Sequence, residues 1–256
     1  MLGPGKSLTF LKFIPKHLIE EFSISKQSHG EPFSVLLAGR KHYVFGTPAE
    51  VLAVFRKPKI LSIAPFIRMI MSRLFGMDKA TVQSLDANRE DFHPTYDKFL
   101  LRPEHFEPVV KKYFKEIRPP FQTLIMDEAV KAKDGVLART DLFNLLLDTM
   151  TRATVMAYLG PKPLEIDPTL CRDMSDFTIY GFWPLFAGVP TYFLPHTSRA
   201  KKRVVDAMRE GVVNPQIQGK PEAKEISDFS RYQIDYQSKY LAPNSNAVNI
   251  FSFMFG

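Results

Sequence analysis

A chain of 256 residues can bury a sizeable core, as one large domain or two small ones. Its 34 Lys+Arg against 27 Asp+Glu leave a charge of +7, scattered except for the cluster Arg199-Ala-Lys-Lys-Arg203; this excludes the dense basic pattern of a nucleic-acid binder and suits an acidic partner or an anionic membrane face. The single cysteine, Cys171, excludes an intrachain disulfide and a multi-cysteine zinc site and fits a reducing compartment. No apolar run of about 18 residues is present to cross a bilayer, and Met1-Leu-Gly-Pro-Gly lacks the layout of a signal peptide. The unusual counts are 22 Phe and 20 Pro, which call for a large apolar interior or an apolar ligand.

In chain order, residues 1–14 read as a Pro/Gly-led hinge, followed by a helix from Pro15 to about Gln27. Phe33-Ser-Val-Leu-Leu-Ala and Lys41-His-Tyr-Val-Phe read as two strands around a Gly39-Arg40 turn, a hairpin over 33–46. Thr47-Pro-Ala-Glu50 is a helix start: Thr47 caps, Pro48 takes the first helical position, Glu50 completes a capping box, and Pro58 closes the helix. Residues 58–85 are apolar but irregular. Helices are expected at about 87–101, 104–118 and 121–133, with Pro119-Pro120 separating the last two. Thr140 or Asp141 starts an amphipathic helix on Leu142, Leu146, Met150, Ala153 and Ala157 that ends at Gly160. Further helices are expected at 167–180, 196–212 and 227–240. Between the first two of these lies 180–195, a Gly/Pro/aromatic stretch read as a non-helical loop. The fold class is mainly α with a small β-hairpin.

Few residues announce chemistry. Gly3-Pro-Gly-Lys-Ser7 mimics the tail of a phosphate-binding loop, but without a preceding strand or the earlier glycine a flexible hinge is the better reading. The six histidines (17, 29, 42, 93, 105, 196) show no metal spacing. Cys171 sits near a helix start beside Arg172, a setting for either a small apolar residue or a reactive thiol. The apolar segments 60–77, 180–195 and 248–256 read as core. The second of these could equally cover a ligand cavity or dip into a membrane surface.

The C-terminal residues Asn246-Ala-Val-Asn-Ile-Phe-Ser-Phe-Met-Phe-Gly256 open a helix, capped by Asn244, Ser245 or Asn246, that is apolar nearly all round. Such a helix belongs at the centre of a larger domain. The expectation is therefore that the chain is the front part of a bigger protein, poorly soluble alone because this helix lacks partners.

The order of parts (hinge, helix, hairpin, Thr-Pro-Ala-Glu helix, apolar loop, long helices) resembles the N-terminal half of a cytochrome P-450. Phe182-Trp-Pro-Leu-Phe-Ala-Gly-Val-Pro-Thr-Tyr-Phe-Leu-Pro-His-Thr-Ser-Arg-Ala-Lys201 looks like the F–G region of the branch containing cholesterol 7-alpha-hydroxylase, sterol 12-alpha-hydroxylase and prostacyclin synthase. Phe55-Arg-Lys-Pro-Lys-Ile-Leu-Ser62, with Pro65-Phe66 and Phe75-Gly76, is similar to that branch's B helix and B–C loop.

The resemblance implies one P-450 domain portion over 1–256, with 58–85 as the B–C region, 180–195 as the F–G loop and the last helix as the start of the I helix. It implies a heme-thiolate monooxygenase acting on a sterol or other lipid, with O2 and electrons from an NADPH-dependent reductase. A prostacyclin-synthase-type isomerase and a non-enzymatic lipid- or membrane-binding module are the alternatives. The family's Phe-x-x-Gly-x-x-x-Cys-x-Gly ligand loop and Glu-x-x-Arg pair do not occur in these residues, so there is no catalytic or metal-ligating residue to assign and the chain alone is expected to be inactive. Lys98, in Thr95-Tyr-Asp-Lys-Phe99, and Arg102 become candidates to contact a heme propionate. Phe66, Ile70, Phe182, Trp183, Leu185, Phe186, Ile250, Phe253 and Met254 become candidates to line the substrate pocket or its entrance. The implied location is the cytoplasmic face of the endoplasmic reticulum membrane, with any anchor lying upstream.

Overall fold

The computed structural model describes residues 32–37, 40–57, 62–88, 93–133, 142–186 and 188–254. The expected hinge, the helix from Pro15, the Pro58 stop and the Thr140 or Asp141 helix start lie outside them. The chain divides into two compact units, 1–67 and 68–256.

In the first unit, β1 (Phe33–Leu37) and β2 (Arg40–Val44) pair antiparallel, with Phe33 opposite Val44 and Leu37 opposite Arg40. The hairpin is as expected, except that Arg40 belongs to the strand and not to the turn. Helix α1 (Pro48–Phe55) starts on the capping box read from Thr47-Pro-Ala-Glu. The Glu50 backbone N–H donates to Thr47 Oγ1 at 3.3 Å, and Glu50 Oε2 accepts from the Thr47 N–H at 3.2 Å. Two otherwise unpaired first-turn donors are satisfied by residues three apart, which is why so short a segment holds a defined start.

The stretch expected to be irregular holds two helices, α2 (Ala64–Arg73) and α3 (Lys79–Ala87). The Asp78 side chain caps α3, its Oδ1 accepting from the Thr81 N–H at 3.0 Å and Oδ2 from the Thr81 hydroxyl. Between the two helices the chain buries Leu74, Phe75 and Met77. Continuous apolar content had masked the helical period here.

In the second unit, α4 (His93–Tyr96) runs into a π turn, Asp97–Leu101. Next comes α5 (Pro103–Lys133), one helix through Pro108, Pro119 and Pro120 where two were expected. Proline already has a helical φ; what it removes is an N–H, releasing here the carbonyls of Lys115 and Glu116 from the ladder. Lys115 and Pro119 are exposed, so water can take up the released groups. α5 packs along α6 (Leu142–Leu159), which ends before Gly160 as the sequence indicated. The buried face of α6 carries Thr149, Ala153, Val155, Ala157 and Leu159, whereas Met150 is 48% exposed and not on the core side.

After α7 (Lys162–Ile166) come α8 (Leu170–Asp176), a π turn over Phe177–Gly181 and α9 (Phe182–Phe186). Helix therefore enters the segment read as an obligate loop. The π turn, closed by the Phe182 N–H on the Phe177 carbonyl, resets the ladder. Pro184 then falls in the first turn of α9, where a missing N–H costs nothing. The rest of the unit is α10 (Pro195–Met208), a π turn over Arg209–Val213, α11 (Asn214–Ile217), α12 (Asp228–Gln237) and α13 (Pro243–Phe253).

Helix α13 corrects two expectations. Its N-cap is Ala242 with Pro243 in the first turn, and no side chain caps it. Asn246 is instead fully buried, its Nδ2 donating to the Ile234 carbonyl at 3.2 Å and to Ser238 Oγ at 3.1 Å. Nor does the helix lack partners, because residues Asn246 to Ser252 are buried by their own chain. α13 packs on α10 and α12. The Phe251 ring meets Phe75 edge-on at 5.5 Å and Phe177 at 5.2 Å. Phe253 turns to a second aromatic group, 6.1 Å from Phe229 and 6.3 Å from Tyr96. The core of this unit is thus drawn from Leu74 and Phe75, α6, α8, α10, α12 and α13.

Candidate functional site

The face formed by the end of α2 and by the segment 177–201 collects most of the residues singled out above. Ile70, Phe182 and Phe186 are half-buried against the same core that contains Leu185 and Ile250, both 3% exposed. Phe182 and Phe186, one helical turn apart, stack with planes 5° apart and centroids at 6.2 Å, and Trp183 stands edge-on to each. Trp183 itself is 56% exposed, and Tyr192 and Phe193 are 73% and 63% exposed. Met254 joins the core edge, while Phe253 sits with Tyr96 and Phe229. Phe66, in the first unit, is 45% exposed.

Gly181 lets α10 approach this face. A Cβ there would run into Thr197 Cγ2 and sit 3.4 Å from Phe177 Cδ2, so the close crossing needs a residue without a side chain. Two charged contacts fix α10 further. Arg203 Nε and Nη2 donate to the two oxygens of buried Asp173 on α8, both at 2.6 Å. Lys201 Nζ lies 3.4 Å from the Leu74 carbonyl at the end of α2, and burial pushes its ammonium below the ordinary lysine range. A cation at the C-terminal end of a helix meets its unpaired carbonyls. A shallow cleft of about 230 Å³ opens beside these contacts, lined by Arg73, Leu185, Gly188, Val189, Pro190 and Thr191.

Lys98 and Arg102 lie together at the π turn before α5. Lys98 is exposed, its Nζ 4.9 Å from the Phe99 ring centre, and Arg102 Nη2 donates to Asp97 Oδ2 at 3.3 Å with both side chains solvated. Both could reach an anionic group at the surface. Cys171 is half-buried in the first turn of α8, and burial pushes the thiol up to about 11 despite Arg152 nearby. Among the described residues no group of three or more His, Cys, Asp or Glu side chains could hold a metal ion. The reactive-thiol alternative is set aside.

Sequence reasoning missed Arg73, Lys201 and the Asp173–Arg203 pair. An arginine ending a helix and a lysine inside a basic cluster look ordinary, and only tertiary packing partners them. Gly181 and Gly188 within an aromatic stretch were the available signal.

The chain is 25% identical over 227 residues, 88% of its length, to "Cytochrome P450 monooxygenase poxD" of Penicillium oxalicum. This supports membership of the cytochrome P450 family but carries nothing in favour of the sterol-hydroxylase or prostacyclin-synthase branch. The chain spans 45% of that relative's length. No family model matches it, and no solved structure does at a significant level.

At pH 8, alkylation of Cys171 by iodoacetamide should run roughly a hundredfold slower than that of a free thiol, because only the thiolate attacks. The rate should climb until pH reaches about 11. A plateau by pH 9 would show an unperturbed thiol.

Proposed function

We propose that this chain forms part of a heme-thiolate monooxygenase that hydroxylates a sterol-sized or other lipid-like substrate, using O2 and electrons supplied by a reductase. The observation that carries the reading is the similarity to a P450 monooxygenase along 88% of the chain. The helical architecture with its hairpin and capped α1 agrees with it. When bound, heme would supply the oxidising chemistry. The residues described here would do the positioning. Lys98 and Arg102 would offer cations to a heme propionate. Ile70, Phe182, Trp183, Leu185, Phe186, Ile250, Phe253 and Met254 would form the apolar wall or approach for the substrate, with Leu185 and Ile250 acting from behind as packing.

The same reading includes a membrane surface, at the cytoplasmic face of the endoplasmic reticulum. No helix among the described residues is long and apolar enough to cross a bilayer. The support is the run of exposed rings at Trp183, Tyr192 and Phe193 followed by the cations Arg199 and Lys202, a combination suited to an interface.

Two measurements check these statements. Protein extended to the length of the relative should give a thiolate-type absorbance when reduced under carbon monoxide, and residues 1–256 alone should not, since Cys171 stays protonated. A thiolate spectrum from 1–256, or none from the longer protein, contradicts the oxygenase reading. Residues 1–256 should float with anionic vesicles, and changing Trp183, Tyr192 and Phe193 to Asp should abolish it; unchanged flotation contradicts the membrane reading.

A further inference from the structure

We propose that the cleft at the end of α2 is a binding site for the carboxylate end of a medium-chain anionic amphiphile, with Arg73 as its anchor. Three half-buried arginines of the second unit invite comparison. Arg209 holds Asp206 and Glu210, and Arg231 holds Asp228. Arg73, buried to a similar degree, has no carboxylate within ion-pair distance among the described residues. A guanidinium taken partly out of water without an anion is an unfavourable arrangement that a ligand carboxylate would correct, since its planar fork donates to both oxygens at once.

The surroundings fit an amphiphile better than a bare anion. Leu185, Val189 and Pro190 supply apolar walls, Thr191 adds a polar group, and no acidic residue lines the cleft. Gly188 has φ +90 and places Arg73 Nη1 3.4 Å from where a Cβ would stand, so the turn is shaped to let the guanidinium lie against bare backbone. The volume of about 230 Å³ falls below that of an ordinary drug-sized pocket. It holds a head group and a few carbons. The exposed rings of Tyr192 and Phe193, next along the chain, offer apolar surface to the remainder. Lys201, on the Leu74 carbonyl, adds positive charge to the same end of α2.

The site stands whether or not the whole protein oxygenates anything, so this binding test and the heme spectrum fail independently. Trp183 is the chain's one tryptophan and stands two residues before the cleft-lining Leu185, and its fluorescence is the readout. Residues 1–256 are titrated with decanoate, with decanol and with acetate. Decanoate should saturate and bind at least about tenfold more tightly than either, the scale of a hydrogen bond to a charged partner. Arg73→Gln should erase the preference of decanoate over decanol. Arg68→Gln, on the same helix but paired with Asp86, should keep it. Equal binding of decanol, an unaffected Arg73→Gln variant, or an equal loss in Arg68→Gln overturns the proposal. If Arg73→Gln does not fold by circular dichroism, the decanoate-to-decanol ratio on the unaltered chain decides. Displacement of decanoate by equimolar short-chain phosphatidylglycerol, whose headgroup carries a phosphate and no carboxylate, would also overturn the proposal.

Discussion

Three phenylalanine rings, Phe75, Phe177 and Phe251, hold the second unit together. They come from the turn after α2, the π turn after α8 and the last described helix, and their centroids lie 5.2 to 6.0 Å apart. Phe177 and Phe251 are fully buried. Tilted and edge-on arrangements place ring edges on ring faces, worth about 0.5–1.5 kcal/mol per pair beyond the burial itself. The larger consequence is topological, since each ring belongs to a segment distant in sequence and the contact cannot form until all three have arrived.

Around that apolar centre the specificity is polar. Asp173 is buried only because Arg203 meets both its oxygens, and a lone carboxylate there would be costly. Within α12, Gln237 donates to Gln233 at 2.9 Å, and from α13 Asn246 donates to the Ile234 carbonyl and Ser238. The Asn246 amide resists a shift in register, because sliding α13 would strand its Nδ2 in hydrocarbon. The exposed aromatic run from Trp183 to Phe193 and the Arg73 cleft hang on this scaffold through α9 and α10, so a rigid core presents a greasy, basic face.

Local signals in the sequence translated directly into structure where they depend on neighbouring residues. The Thr47–Glu50 capping box, the strand pair and the end of α6 at Leu159 are of this kind. Signals that depend on what proline forbids did not. Pro119 and Pro120 stay inside α5, and Pro184 sits in α9, because solvent or a π turn absorbs the missing donors. Helix α13 was legible as a buried element. Its partners were not, since nothing in Ile250-Phe-Ser-Phe indicates Phe75 or Phe177. The residues at the candidate face were picked out by resemblance and aromatic content. Arg73, which lacks both marks, emerged only from the geometry.

The central claim is that α13 is an integral core element of the chain and owes its order to the Phe75–Phe177–Phe251 contact. Hydrogen–deuterium exchange on residues 1–256 tests it most directly. The amides of Ile250, Phe251 and Ser252 should be among the slowest to exchange, matching those of Val204 and Met208 in α10. Exchange within seconds at those amides, while α10 stays protected, would contradict the account.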